Sequence, residues 1–314
     1  MDVNTPPLIT LVVPVFNEVD TVTTFVQRVH SVLADAPWQW RILMVDDGST
    51  DGTQREIKRL SECYESVGFI ALSRNFGKEA ALSAGLLNAH GDAAVPIDVD
   101  LQDPPELILE FVTIWQQQRV DMVYGIRSER PDDTAAKRHY RLFNRITETP
   151  IPENAGDFRL IDRRMIEALR SMPERNRFMK GLYAWVGYRS IGVPYRRPAR
   201  LKGESKFNYW RLWNFALDGM FSFSTLPLRI WSYIGGLIAC LAFIYIIIII
   251  SQVLFLGRDA PGYASLMTAV LFFGGMQLLS IGILGEYIGR LFIESKQRPL
   301  YIVADTSDEY TSTR

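Results

Sequence analysis

Apolar and polar positions along the first 127 residues alternate in blocks that predict strand, helix, strand, helix. Leu8 to Val15 (LITLVVPV) is a short, β-branched apolar run and reads as a buried strand. Glu18 to Ala34 then shows helical spacing through Val22, Phe25, Val26, Val29 and Leu33. Arg41–Val45 predicts a second strand and Asp51–Tyr64 a helix with Asp51 as its N-cap. Val67–Leu72, Ala93–Ile97 and Val120–Tyr124 predict three more strands, with helices over Lys78–Ala89 and Pro104–Gln118 between them. Such alternation implies parallel strands covered by helices, an open α/β sheet. In sheets of this kind ligands bind at the carboxyl ends of the strands. Polar residues collect at those ends: Asn17-Glu18, Asp46-Asp47, Ser73-Arg74-Asn75, and Asp98 with Asp100.

The pattern changes near Tyr209, after which the chain is overwhelmingly apolar as far as Phe292. Trp231–Leu256 and Ala264–Phe292 are each long enough to cross a bilayer, which takes about 20 apolar residues. A short connector, Gly257–Tyr263, makes the pair a hairpin. Arg211, Arg229, Arg290, Lys296 and Arg298 flank its outer ends against Arg258 alone in the turn, so the positive-inside rule puts both termini and the N-terminal domain in the cytosol. Asn208–Leu228 carries Trp210, Trp213, Phe215, Phe221 and Phe223, aromatics that suit the headgroup boundary, and predicts an interfacial amphipathic helix. The expected organisation is a cytosolic domain over 1–207, interfacial helices over 208–229, a transmembrane hairpin over 230–293 and a cytosolic tail over 294–314. In the second span Gly285-x-x-x-Gly289 offers a close-packing face, suited to a homo-oligomer.

Composition adds little to this. Net charge is -1, so overall charge selects no partner and gives no reason to expect nucleic acid. Two cysteines, Cys63 and Cys240, make neither a zinc spacing nor a disulfide framework. The N-terminus lacks the basic flank and apolar core of a signal peptide. His30, His90 and His139 fit no metal spacing or triad and read as structural or surface residues.

Local chemistry is more informative. Asp98-Val99-Asp100 ends the fourth strand, and carboxylates at alternate positions project the same way from a strand. Hard oxygen ligands favour Mg²⁺ or Mn²⁺, which suits the diphosphate of a nucleotide-sugar. Asp46-Asp47-Gly48-Ser49-Thr50-Asp51 follows the second strand, where aspartates suit the base or ribose of a nucleotide and the same residues also serve as a capped turn. Tyr195–Phe207 holds Arg196, Arg197, Arg200, Lys202 and Lys206 against one acid, Glu204, beside the interfacial segment. That placement suits the phosphate of a lipid, or simply an anionic membrane surface. The first strand leads into Pro14-Val15-Phe16-Asn17-Glu18 with no glycine, so a dinucleotide fingerprint is absent, as is a Walker A loop.

With Arg74-Asn75-Phe76-Gly77-Lys78, Asp98–Pro105 and Lys202–Phe207 added to the first two loops, the chain resembles family 2 glycosyltransferases of the polyprenyl-phosphate type. That family includes bactoprenol glucosyltransferases and dolichol-phosphate mannose synthases; the former are the better likeness, since they share the C-terminal hairpin. The resemblance covers nearly the whole chain. It implies a GT-A fold with a Rossmann-like open parallel sheet. It implies that Pro14, Glu18, Asp46 and Asp98 line the nucleotide pocket and that Asp98, Asp100 and Gln102 form the metal site, Asp100 and Gln102 as the direct ligands. Arg127 is expected to meet phosphate, Asp157 to act as catalytic base or to orient the acceptor, and Arg200, Ser205 and Lys206 to hold the acceptor side. The implied reaction is inverting transfer of one hexose, glucose from UDP-glucose, to undecaprenyl phosphate at the inner face of the plasma membrane. GDP-mannose, UDP-N-acetylglucosamine or a modified arabinose are alternative donors. A processive polysaccharide synthase would carry Q-x-x-R-W near the membrane, whereas here Gln116 and Arg119 are followed by Val120 in an unrelated segment. A non-catalytic membrane scaffold gives no reason for the acidic cluster.

Overall fold

The computed structural model describes residues 6–127, 155–175, 177–196, 226–256 and 262–313. Its strands are β1 (Leu8–Val15), β2 (Gln39–Asp46), β3 (Val67–Leu72), β4 (Ala93–Pro96), β5 (Met122–Arg127), β6 (Ala155–Asp162), β7 (Ser190–Tyr195) and β8 (Val303–Thr306). Its helices are α1 (Val19–Leu33), α2 (Thr53–Cys63), α3 (Lys78–Asn88), α4 (Leu107–Gln118), α5 (Arg163–Ser171), α6 (Met179–Trp185), α7 (Leu226–Leu256) and α8 (Tyr263–Ser295), with a 3₁₀ turn over Asp308–Thr313. The apolar face expected of α1 is the one it buries: Val22, Phe25, Val26, Val29 and Leu33. Helix α2 starts two residues later than expected, because Asp51 turns its carboxylate back onto the Thr53 amide at 3.0 Å and Gly52 takes the N-cap position.

The strands form one eight-stranded sheet in the order β7-β5-β6-β4-β1-β2-β3-β8. The expectation of a parallel sheet is corrected here: the sheet is mixed. Strands β4, β1, β2 and β3 are parallel neighbours, but β6 inserts antiparallel between β4 and β5, and β8 runs antiparallel on the far edge. The alternation rule sees only crossovers through helices. It gives no hint of a strand that arrives later in the chain and fills the slot between β4 and β5. Because β6 runs the opposite way, its first residues lie at the edge where the parallel strands end. That reversal brings Asp157 to the same edge as Asp98.

Helix α3 lies very close on the sheet. A Cβ on Gly85 would sit 2.2 Å from Val12 Cγ1, so only glycine permits that approach. The close seating matters because the N-terminal residue of α3 is Lys78, at the strand ends.

The C-terminal segment, read from sequence as a tail, supplies β8 and a buried anchor. Tyr310 is 1% exposed, packs with Leu43, Val45, Ile70 and Leu72, and stacks on His90. Ser307 accepts the Phe69 amide hydrogen at 3.1 Å. Tyr310→Ala should cost about 3 kcal/mol of stability, the usual cost of truncating a buried aromatic, read as a lowered unfolding midpoint of the full chain. A change under about 0.5 kcal/mol, the scale of an exposed substitution, would show the anchor to be superficial.

Over Ser265–Ser295, α8 is long and apolar enough, by length and composition, to cross a membrane; in α7 the stretch Tyr233–Tyr245 is apolar but shorter. The two helices touch each other. Leu266, Leu278 and Leu291 on α8 are each about two-thirds exposed in the chain alone. Most of the segment expected to form the interfacial helix, 208–225, lies outside the described residues.

Candidate active site

Three loops at the carboxyl ends of β1, β2 and β3 are tied to one another before any ligand is considered. Asn17, held at a positive φ of 55°, accepts the Thr50 amide hydrogen through its side chain at 2.9 Å, and its own amide donates to Ser49 Oγ at 2.9 Å. The Glu18 amide donates to Thr53 Oγ1 at 2.9 Å. Asp47 is 3% exposed and accepts two amides of the third loop, from Phe76 at 2.7 Å and Gly77 at 2.9 Å. Burial pushes the Asp47 carboxyl up despite those amides and Arg74. Gly48, at φ 70°, lies against the backbone of Arg74, and a Cβ there would come within 2.4 Å of the Arg74 carbonyl carbon. Glycine in the second loop therefore sets how closely the third can approach.

These loops and the end of β4 enclose a cleft of about 290 Å³. Pro14, Glu18, Asp98 and Asp100 line it, together with Phe16, Asp47, Asn75 and Lys78. Asp46 does not appear in that lining: it is 2% exposed, accepts the Ser49 amide at 3.2 Å, and its carboxyl is pushed up by burial. Its neighbour Asp47 reaches the cleft instead. Sequence periodicity could not choose between two adjacent acids at a strand end.

After β4 the backbone turns sharply at Leu101, φ 55°, and Asp100 Oδ1 accepts the Gln102 amide hydrogen at 3.1 Å. Gln102 is 4% exposed, and its side-chain Nε2 has no hydrogen-bond partner among the described residues. Amide oxygen and nitrogen exchange places by rotation, so this partnerless arm is the one that would turn to a ligand, although Gln102 is buried and is not among the residues that line the cleft. No group of three His, Cys, Asp or Glu side chains gathers anywhere among the described residues. A cation here would therefore rest on carboxylate and amide oxygens and complete its shell from a bound diphosphate and water, which suits Mg²⁺ or Mn²⁺.

Lys78 joins the two halves of the site. Its ammonium lies 2.7 Å from Asp98 Oδ1, 3.0 Å from Asp98 Oδ2 and 3.3 Å from Asp157 Oδ2. Lys180 of α6 approaches the other Asp157 oxygen at 3.8 Å. Burial alone would raise the Asp157 carboxyl, but Lys180, Lys78 and Arg159 outweigh it and hold it below the ordinary range. Glu79, beside Lys78, is pushed up by burial and by the Asp157 charge, and accepts the Met179 amide at 3.1 Å. Arg127 is half-buried over Gly156 and bonds Tyr195, whose hydroxyl donates to the buried Asp103 at 2.5 Å. Asp157, Asp98, Lys78, Lys180 and Arg127 thus form one charge-alternating group at the sheet edge. Sequence reasoning missed Lys180 and the contact of Lys78 with Asp157, since both depend on the reversed strand β6. Arg200, Ser205 and Lys206 lie outside the described residues.

The chain matches the pattern described as Glycosyl transferase family 2 over residues 10–170 and that described as GtrB C-terminal hairpin over 226–291. It belongs to glycosyl transferase family 2. An uncharacterised glycosyltransferase of Synechocystis is 50% identical, over 95% of each chain. The bactoprenol glucosyl transferase of Shigella phage SfV is 48% identical, over 94% of this chain and 97% of the phage protein. The Escherichia coli prophage bactoprenol glucosyl transferase homolog is 47% identical, over 94% of this chain and 98% of its own. Among solved structures, a Pyrobaculum calidifontis mannosyltransferase in complex with GDP-Man and Mn²⁺ is 18% identical with a TM-score of 0.48, over 91% of this chain and 88% of that one. This family 2 enzyme is a glycosyltransferase with an α/β GT-A domain; four of the motifs that carried the resemblance contribute residues to its cleft, and the fifth, Lys202–Phe207, lies outside the described residues.

Proposed function

We propose that this glycosyltransferase moves one glucose from UDP-glucose to a polyprenyl phosphate, undecaprenyl phosphate in a bacterial membrane, with inversion at the anomeric carbon. One observation carries the reading: the carboxylates and the lysine of the cleft converge where a donor diphosphate and an anionic acceptor would meet. The near end-to-end likeness to bactoprenol glucosyl transferases supports the choice of sugar and acceptor.

In this reading Glu18 and Asp47, with Pro14 and Asp46 near them, form the nucleotide side of the cleft. Asp100 and Gln102 would hold Mg²⁺ or Mn²⁺, with Asp98 adjacent, and the ion would neutralise charge on the leaving diphosphate. A phosphate oxygen of the acceptor attacks the anomeric carbon. The new carbon–oxygen bond forms as the bond to the nucleoside diphosphate breaks. A phosphate monoester has its second pKa near 6, so the nucleophile is already largely ionised and needs little base. Asp157 then orients the acceptor or takes its residual proton, while Lys78 and Lys180 offset the repulsion between the acids and an anionic acceptor. Arg127, Arg200, Ser205 and Lys206 complete the acceptor side.

The catalytic domain sits on the cytosolic face of the plasma membrane in this reading, on a two-helix hairpin of α7 and α8. What supports the hairpin is connectivity. The chain leaves the sheet after β7 and returns to it as β8, so any crossings between them must be even in number. Exposed apolar side chains along α8 suit lipid. The open faces of Gly285 and Gly289 suit a second copy. Against a processive synthase, Gln116 and Arg119 precede β5 and so lie at the sheet edge opposite the cleft.

The test is a panel of radiolabelled sugar nucleotides offered to the full-length protein with undecaprenyl phosphate and Mg²⁺. Label from UDP-glucose is expected in the lipid fraction, one sugar per lipid. Label from another donor would reassign the sugar, a polymer would favour the synthase, and no transfer from any donor would defeat the reading.

A further inference from the structure

The segment that joins α5 to α6 is attached at one end to the apolar helix α8 and at the other to the cleft. Glu294, one residue from the end of α8, accepts the Arg175 amide hydrogen with both carboxylate oxygens, at 2.9 and 3.1 Å. Between the two attachments the buried Arg177 donates to the carbonyls of Met172 at 2.9 Å and Leu169 at 3.3 Å, which stiffens the path. The Met179 amide donates to Glu79, the residue next to Lys78, and Lys180 follows with its ammonium beside Asp157. Just past α8, Tyr301 accepts a hydrogen bond from Asn88 at 3.1 Å, so the same stretch also holds the far end of α3, whose first residue is Lys78. Lys180 is therefore linked to the end of α8 through this segment.

We propose that Glu294 is a positioning residue for transfer. By holding the Arg175 amide it fixes the segment that sets Lys180 against Asp157, so the acceptor side of the cleft is assembled against a seated C-terminal apolar helix. The nucleotide side is built from β1, β2 and β4 and does not depend on this brace. The inference rests on the reading of Asp157 as the acceptor-side residue. A catalytic lysine displaced by a fraction of its contact distance loses much of its effect, and misplacement by about 1 Å can cost up to about 10²-fold.

The experiment uses the full-length protein in lipid nanodiscs. It compares wild type with Glu294→Leu, Glu294→Gln and Arg175→Pro, the last removing the amide hydrogen from the other side. Transfer to undecaprenyl phosphate, UDP affinity with Mg²⁺, and amide hydrogen exchange over 172–180 are measured together. Glu294→Leu and Arg175→Pro should lower kcat about tenfold and speed exchange in that segment, with UDP affinity unchanged. Glu294→Gln keeps a carbonyl acceptor and should stay within about threefold of wild type. Wild-type kcat and exchange in Glu294→Leu would overturn the proposal while leaving the transfer reading intact. A proportional loss of UDP affinity would also overturn it, by showing a general structural role. If the wild type itself forms no lipid-linked sugar, the transfer reading fails and this inference with it.

Discussion

Asp100→Asn should abolish nearly all sugar transfer, a fall of about 10³-fold in kcat, with the fold intact. The substitution is chosen because Asp100 has two jobs. Its Oδ1 accepts the Gln102 amide hydrogen at 3.1 Å and so shapes the turn at Leu101, and its carboxylate faces the cleft. Asparagine keeps an oxygen for the turn and loses the charge; alanine loses both. The asparagine variant should therefore melt like wild type, whereas Asp100→Ala should add a stability loss of about 1 kcal/mol from the missing hydrogen bond. Cation dependence should separate in the same way. Wild-type UDP binding should strengthen with added Mg²⁺, and the asparagine variant should bind UDP weakly and almost independently of it. An Asp100→Asn enzyme that keeps transfer within threefold of wild type, with its Mg²⁺ response intact, would move the cation site elsewhere in the cleft.

The half of the fold that was legible in the sequence is the half that obeys local rules. Strands β1 to β4 are buried apolar runs, and α1 buries the five residues its spacing named, because one element decides its own pattern. Strand β6 reads AGDFRLID, with a glycine, two internal charges and a third, Asp162, at its end as the N-cap of α5, and nothing local marks it as a central strand. Its charges are tolerated because Asp157 opens to the site and Arg159 lies over the Tyr183 ring, 4.1 Å from its centre. Both are tertiary facts. Strand β8 is only four residues and gains its place from Tyr310 and Ser307, well outside any sequence window. The site follows the same division. Asp98 and Asp100 were legible as alternate residues at a strand end. The choice of Asp47 over Asp46 for the cleft was not, because it depends on which carboxylate the amides of Phe76 and Gly77 capture. Lys180 carried no signal, since it reaches Asp157 only once β6 has reversed direction.

Lys78→Met should lower kcat/KM for the lipid phosphate by about 10²-fold or more, the scale set by removing one preorganised charge from a transition state, while UDP binding changes little. Lys78 is the cation between the acid at the end of β4 and the acid at the start of β6, in contact with both. Without it, Asp98 and Asp157 confront an acceptor that is itself anionic, and Lys180 at 3.8 Å is left to offset them. Methionine fills similar volume, so the loss reports charge and not a cavity. The same change has a signed pH consequence. Asp157 is pushed up by burial and held down by Lys180, Lys78 and Arg159, with the net below the ordinary carboxylate range. A depressed folded pKa gives stability that is present above the unfolded carboxylate pKa and lost as pH falls through the folded one. Removing Lys78 raises the Asp157 pKa, so the variant should lose that contribution at a higher pH than wild type. Its stability deficit should be full near neutrality and shrink in acid. Thermal melts of both proteins from pH 7 down to pH 3 measure this. A deficit that grows on acidification would mean that Lys78 is not what keeps Asp157 ionised. Lys78→Arg keeps the charge but changes its reach, and should recover the melting profile more fully than the transfer rate, because catalysis depends on where the charge sits and ionisation of Asp157 mainly on its presence.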